Sequence, residues 1–256
     1  MTPPFILRQN GDAALDICFD ATPGESLSRL IIYLQTALED AMGSGQWPEL
    51  RELIPAYQSL TLCYDPLSTE VSGDTSLHNR LCKFVAEILS KDTSEEDSIG
   101  RHSAQLIEVP VCYGGAWGPD IGTVCEHTGL SEGDVIKLHS ERDYLVHMLG
   151  FTPGFLYLGG LIETLHCPRK DRPTLAVPAG SIGIGGTQTG IYPQVTPGGW
   201  QIIGRTPLKL FSPEKPSPFI ARPLDRVRFV PISAQAFTDW DEPGPRTSPV
   251  SGKEND

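Results

Sequence analysis

Two arginines, Arg169 and Arg205, lie in a stretch crowded with side chains suited to holding a small anion. From Phe151 to Phe211 the chain includes FTPGFLYLGG, CPRKDRPTLAVPAGSIGIGG and TQTGIYPQVTPGGWQIIGRTPLKLF. A guanidinium offers paired donors to a carboxylate or phosphate. Gly180-Ser181 and the run Gly185-Gly186-Thr187-Gln188 would present backbone N–H groups and short hydroxyls to an anion, as a nest does. The same glycines equally suit a bulged barrel corner. Gln188, Tyr192 and Tyr157 add amide and phenol groups that fix a ligand's orientation. His147 alternates with Leu145 and Leu149 along a predicted strand, which predicts an inward, hydrogen-bonded place and makes it an acid–base candidate. Arg205, Arg169 and His147 are therefore the catalytic candidates. Gly180, Ser181, Thr187, Gln188, Tyr192 and Tyr157 are the candidates for substrate or nucleotide binding. Lys170 and Arg172 read as solvated, and Pro197-Gly198-Gly199-Trp200 as a turn anchored by its indole.

Several chemistries have no motif here. There is no Walker A sequence, Gly183–Gln188 fails GxGxxG at its last position, and no GxSxG elbow occurs. No HxH or HExxH pair points to a metal. A nucleotide would need an unconventional loop or a partner's surface.

The elements that must position these groups fall in two parts. Phe5–Arg8 and Leu15–Phe19 read as strands around the turn pair Asn10-Gly11. Thr22-Pro23-Gly24-Glu25 reads as a capping box, and Leu27, Leu30, Ile31, Leu34, Leu38 and Ala41 follow at helical spacing. Ser59–Tyr64 is a strand, and Leu77, Leu81, Val85, Ile88 and Leu89 form a second amphipathic stripe. Lys91–Gly100 is polar without an apolar period and marks a boundary. Beyond it come a strand Leu106–Tyr113, a helix from Asp120 to His127 with Gly129 as its cap, and Ser131 capping another turn. His127 there suits the helix dipole. Strands are then predicted at Tyr144–Leu149, Phe155–Leu158, Ser181–Ile184, Trp200–Ile203, Leu208–Phe211 and Val227–Pro231, the pattern of a barrel or folded-over sheet. The fold class is α+β, with domains at 1–99 and 104–236 and a disordered tail over 237–256.

Residues 1–100 carry 16 acids against 6 bases, whereas 101–240 carry 12 of each. So acidic a first hundred residues, followed by a balanced stretch, leaves no basic face for nucleic acid. No apolar run approaches the ~18 residues of a membrane helix. The six scattered cysteines form no CxxC pair and read as reduced thiols of a cytoplasmic protein.

Taken in order, several segments resemble one family. They are Val111–Gly115 with Gly118-Pro119-Asp120, Glu126–Leu130, Leu149-Gly150-Phe151 and Pro153–Gly160. Pro168-Arg169, Val177–Ser181, Gln188–Pro193, Pro197–Trp200 and Ile203–Thr206 complete the set. The family is the B-type subunit of 5-oxoprolinase, also described as allophanate hydrolase subunit 1 or KipI-type kinase inhibitor. Ala116-Trp117 departs from its pattern, where an acid and an aromatic are usual. The resemblance implies a ferredoxin-like first domain and a cyclophilin-like β-barrel second domain. It also implies a C-type partner subunit with a related barrel, and a third subunit besides. ATP, accompanied by Mg2+, is the implied cosubstrate in opening 5-oxoproline to glutamate, with no bound cofactor. Two rival readings are a regulator that binds a sensor histidine kinase and half of a biotin-dependent carboxyltransferase.

Overall fold

The computed structural model describes residues 2–67, 77–90, 103–241 and 244–250. It divides into two compact units, Met1–His102 and Ser103–Asp256. The predicted boundary Lys91–Gly100 lies outside the described residues.

In the first unit, β1 (Phe5–Asn10) and β2 (Ala14–Phe19) form a hairpin, followed by α1 (Glu25–Gly43), β3 (Leu50–Pro55), β4 (Ser59–Tyr64) and α2 (Leu77–Ser90). The sheet runs β1-β2-β4-β3, antiparallel throughout. Moving β1 to the end of the chain would give the β-α-β-β-α-β connection of a ferredoxin-like fold, so the unit is a permuted version of it. Period-two alternation buries Leu15, Ile17, Leu60 and Leu62 beneath the helices, whose stripes bring Ile31, Leu34, Leu38, Leu81 and Val85 onto them. The capping box does not form. The helix starts at Glu25 with Gly24 as its N-cap and no side-chain cap, which leaves Thr22 too far upstream, and Glu25 pairs instead with Arg29 at 2.7 Å. Strand β3 was missed because its charged residues and a register shift between Leu50 and Glu52 spoil the alternation.

The second unit is a closed barrel. Its strands are β5 (Gln105–Tyr113), β6 (Asp143–Leu149), β7 (Leu156–Gly159), β9 (Ser181–Gly185), β10 (Gln188–Ile191), β12 (Gln201–Arg205) and β13 (Arg226–Pro231). They run β12-β9-β10-β7-β6-β13-β5, and β12 pairs again with β5 through Gly204 and Arg205 to close the ring. Only β13 and β5 run parallel. A separate ribbon joins β8 (Thr174–Val177) to β11 (Thr196–Gly198). Helices α3 (Ile121–Thr128) and α4 (Glu132–Ser140) pack on the barrel, capped as expected by left-handed Gly129 and by the Ser131 side chain. A short helix α5 (Ala234–Thr238) follows β13. Two expectations fail. Leu208–Phe211, set between Pro207 and Pro213, makes only an isolated bridge from Phe211 to Phe219. Within the expected disordered tail, β14 (Arg246–Pro249) pairs with the first half of β5.

The lumen is packed, not open. Ile107, Val109, Val111, Val146, Leu156, Leu158, Ile182, Ile184 and Ile203 point inward. His139, fully buried, stacks on Phe229 with ring centroids 4.6 Å apart. The Thr189 hydroxyl donates to the Gly183 carbonyl at 3.1 Å and so accepts from His139 Nε2 at 2.9 Å. Nδ1 is left to accept from the Tyr113 hydroxyl at 2.8 Å. This network holds the ring neutral, and burial lowers its pKa from 6.5 to about 3.

The wall's outer face follows from the same alternation. With Ile182 and Ile184 inside, Gly183 and Gly185 face out on β9, opposite Gly190 on β10. The indole of Trp200 lies on this bare strip. A Cβ at Gly185 would fall 2.3 Å from Trp200 Cδ1, and one at Gly190 3.0 Å from Cζ3. Leu156 and Leu158 point in, so Tyr157 points out, and Phe155, Val177, Tyr192 and Ile202 join the indole in a second, external cluster.

This packing makes two testable demands. Gly185→Ala should cost about 1–3 kcal/mol in urea unfolding through overpacking, whereas Gly122→Ala, open on its helix, should be neutral or stabilising; equal effects would deny the glycine floor. Between pH 6.5 and about 3 the unfolded chain takes a proton that buried His139 refuses. Wild-type stability should therefore fall relative to His139→Gln by about 1.4 kcal/mol per pH unit below 6.5 and be unaffected above it. A pH-independent difference between the two proteins would rule out a neutral, buried ring.

Candidate functional site

Against the outer aromatic cluster lies a cleft of about 560 Å³, lined by Phe151, Phe155, Tyr157, Arg169, Tyr192 and Trp200, with the ribbon residues Thr196–Gly199 and Pro173 as its margin. Its size is that of a small-molecule site. Trp200 is the base: the Arg169 guanidinium carbon stands 5.9 Å from the ring centroid on the side open to the cleft. Cation–π attraction of this kind holds the guanidinium over the ring. Among the described residues Arg169 meets no carboxylate. Phe155 meets Tyr192 and Trp200 edge-on, at 5.3 and 5.6 Å. Burial raises the Tyr157 and Tyr192 pKa values, and nearby Arg169 opposes that rise without reversing it, so both phenols keep their protons at neutral pH. A Cβ at Gly198 would strike the Tyr192 hydroxyl at 2.6 Å. The ribbon can therefore approach the phenol only at a glycine.

The cleft's mouth contains a strained turn. Phe151 has φ of 66°, and Thr152 N–H donates back to the Gly150 carbonyl at 2.8 Å. This is a γ-turn with a positive-φ centre, a conformation costly for an aromatic residue. It leaves Phe151 65 % exposed beside Phe155, 5.7 Å away.

A smaller hollow of about 80 Å³ is bordered by the ribbon's Thr174 and Val177, with Asp120, Lys170, Ser181, Ile202 and Arg205 also in its walls. Lys170 Nζ meets Asp120 Oδ2 at 2.6 Å and donates to Thr174 Oγ1 at 3.1 Å. Asp120 also accepts from the Ile202 N–H at 2.8 Å. Arg205 Nε donates to the Ala179 carbonyl at 2.7 Å.

The sequence-predicted residues are thus divided. Arg169, Tyr157 and Tyr192 share the cleft, and Ser181 and Arg205 share the hollow; the two arginines do not converge on one cavity. His147 lines neither. Tyr144 and Val146 take the inward positions of β6, and a register shift at His147 turns it onto Gly159, where a Cβ would lie 2.0 Å from its Nε2. The predicted inward histidine is His139 instead. Thr187 and Gln188 form the β9–β10 hairpin, with Gly186 at φ 67°, and reach neither cavity. No nest forms at Gly180-Ser181 either. The N–H of Gly180 goes to the Tyr192 carbonyl at 2.7 Å and that of Ser181 to Pro178 at 3.3 Å. Lys170 is paired and half-buried, not solvated. Trp200, Phe155 and Asp120 were missed as site residues. The outward glycines at alternate positions 183 and 185 were the signal for a ring lying on that face.

All six cysteines are free, and no group of His, Cys, Asp or Glu among the described residues could hold a metal. No helix among them is long and apolar enough to cross a membrane.

Comparison with known proteins gives a consistent result. The family described as carboxyltransferase domain, subdomain C and D, matches residues 5–221. The B-type subunit of 5-oxoprolinase from Bacillus subtilis is 38% identical over 94% of this chain and 99% of its own length. The Escherichia coli O157:H7 protein of that name is 57% identical over 54% of this chain and 63% of its own length. Among solved structures, the Pyrococcus horikoshii protein PH0987 is 41% identical with a TM-score of 0.51, covering 91% of this chain and 100% of that one. TTHA0988 is 30% identical with a TM-score of 0.69 over 94% of this chain, which spans only 41% of the TTHA0988 chain. The family match over residues 5–221 and 38% identity along almost the whole of both chains agree: the chain belongs to the family of 5-oxoprolinase B-type subunits.

Proposed function

We propose that this chain is the B-type subunit of an ATP-dependent 5-oxoprolinase, acting in a hetero-oligomer with a barrel-bearing C-type partner and a third subunit. The observation that carries this reading is an aromatic cleft with one guanidinium over its base, in a chain aligned nearly end to end with a bacterial protein of that kind. 5-Oxoproline is a flat five-membered lactam bearing a single carboxylate. Its ring suits the faces of Trp200 and Phe155, its carboxylate suits the forked donors of Arg169, and the protonated phenols of Tyr157 and Tyr192 suit its remaining oxygens.

A lactam resists water because nitrogen's lone pair is shared with the carbonyl. Attack of the amide oxygen on the γ-phosphorus of ATP releases ADP and leaves an imidate phosphate. Water then adds at the carbon, the C–N bond opens to give the acyl phosphate of glutamate, and a second water releases phosphate to leave glutamate. Little of this needs covalent help from side chains. Placement and offsetting of charge suffice, and that matches a site rich in donors and poor in nucleophiles. His147 has no part in it.

The assembly has support in the barrel unit's surface. Among its described residues the exposed large hydrophobic side chains are Phe151, Leu175 and Val195. Phe151 lines the cleft, and Leu175 and Val195 lie in or beside the ribbon at its margin. Exposed apolar side chains at and near an aromatic cleft suit cover by a partner surface.

In the reconstituted complex, Arg169→Ala should raise KM for 5-oxoproline ten- to a hundredfold, corresponding to loss of a charged hydrogen bond of about 1.5–3 kcal/mol, with assembly intact; an unchanged KM would remove Arg169 from the site. Leu175→Asp should weaken co-elution with the C-type partner while leaving the isolated chain folded. Robust turnover by this chain with no partner would refute the half-enzyme reading.

A further inference from the structure

We infer that the hollow between Lys170 and Arg205 is a binding site for a phosphate-class oxyanion, separate from the aromatic cleft. Its volume of about 80 Å³ exceeds the ~30 Å³ share of one water and is far too small for a nucleoside. Two cations and one acid in its walls leave one positive charge over. Arg205 is held at one end only: Nε is spent on the Ala179 carbonyl at 2.7 Å, which fixes the guanidinium plane. Its terminal nitrogens meet no carboxylate among the described residues. Lys170 is aimed by Asp120 at 2.6 Å and Thr174 at 3.1 Å, and Asp120 is itself tied to the Ile202 N–H at 2.8 Å. Asp120 therefore works as an orienting group, part of whose charge is already engaged by main chain.

Recognition here falls to side chains. The N–H groups of Gly180 and Ser181 are both spent within the fold, so the anion must be met by the ammonium and by the outward edge of the guanidinium. Charge-assisted bonds of that type are short and strong in a half-buried place. Oxyanions of this class come from two sources, the phosphoryl end of a nucleotide or free phosphate. The link to 5-oxoproline opening rests on the proposed function, but binding itself does not.

The test is calorimetric titration of inorganic phosphate, and separately of ATP, into the isolated chain at fixed ionic strength. Saturable phosphate binding is expected, with Kd raised tenfold or more in Arg205→Gln and in Lys170→Gln and unchanged in Arg172→Ala, whose side chain lies outside the hollow. ATP that competes with phosphate identifies the source as a nucleotide's phosphoryl end; ATP that does not compete identifies free phosphate. Absence of saturable binding by the folded wild-type chain, or equal affinity in Arg205→Gln and wild type, would overturn the inference. Should Arg205→Gln unfold through loss of the Ala179 contact, Lys170→Gln decides on the same criterion. Either negative result leaves the Arg169 measurement on 5-oxoproline standing.

Discussion

The indole of Trp200 rests directly on backbone, and the site depends on that contact. The strands of a barrel present alternate residues to lumen and exterior, so filling the lumen with Ile182 and Ile184 commits Gly183 and Gly185 to the outside. A strip without side chains admits a large flat ring closer than ordinary packing allows, and Trp200 is 5% exposed there. The ring then becomes a surface in its own right. Phe155, Tyr157 and Tyr192 gather at its edges, and Arg169 lies over the face left open.

This arrangement explains why the cavities lie on the barrel and not in it. The interior is filled by aliphatic side chains, by the rings of Tyr144 and Phe229, and by one histidine whose two nitrogens are both engaged. Such a core has no room for ligand and no spare polar group to receive one. Chemistry is displaced to the outer wall, where the β8–β11 ribbon borders both the cleft and the hollow. One strand of the ribbon borders an aromatic place fit for a small ring, and the other borders a cationic place fit for a compact anion. Charge follows the same division. The acids are concentrated in the first hundred residues, while residues 101–240 balance, so a few oriented cations dominate locally without a basic face.

Strain at Phe151 fits the same picture. A positive φ on an aromatic residue persists only when its surroundings impose it, and here it holds an apolar ring at the lip of the cleft. Leu175 and Val195 are exposed in the same unit, so Phe151 at the lip is one of several apolar side chains open to a partner. Surfaces built this way are completed by another surface more readily than by water.

The sequence by itself determined the elements whose pattern is local. The stripes of α1 and α2, the presence of β5, β6 and β9, the caps at Gly129 and Ser131, and the family segments from Val111 to Thr206 were all legible, because periodicity and turn chemistry act over a few residues. The short strands β8, β10 and β11, interrupted or flanked by glycine and proline, were not, since their pairing is decided by partners distant in the chain. The site was half legible. Arg169, Tyr157, Tyr192, Arg205 and Ser181 could be named as candidates from residue type and setting, but only the tertiary structure divided them between two cavities. It also sent His147 outward through a one-residue shift of register, put His139 in its place, and converted Lys170 from a solvated charge into one aimed by Asp120. Which face a side chain takes on a closed barrel depends on bulges and closure across the whole ring, and no local pattern carries that information.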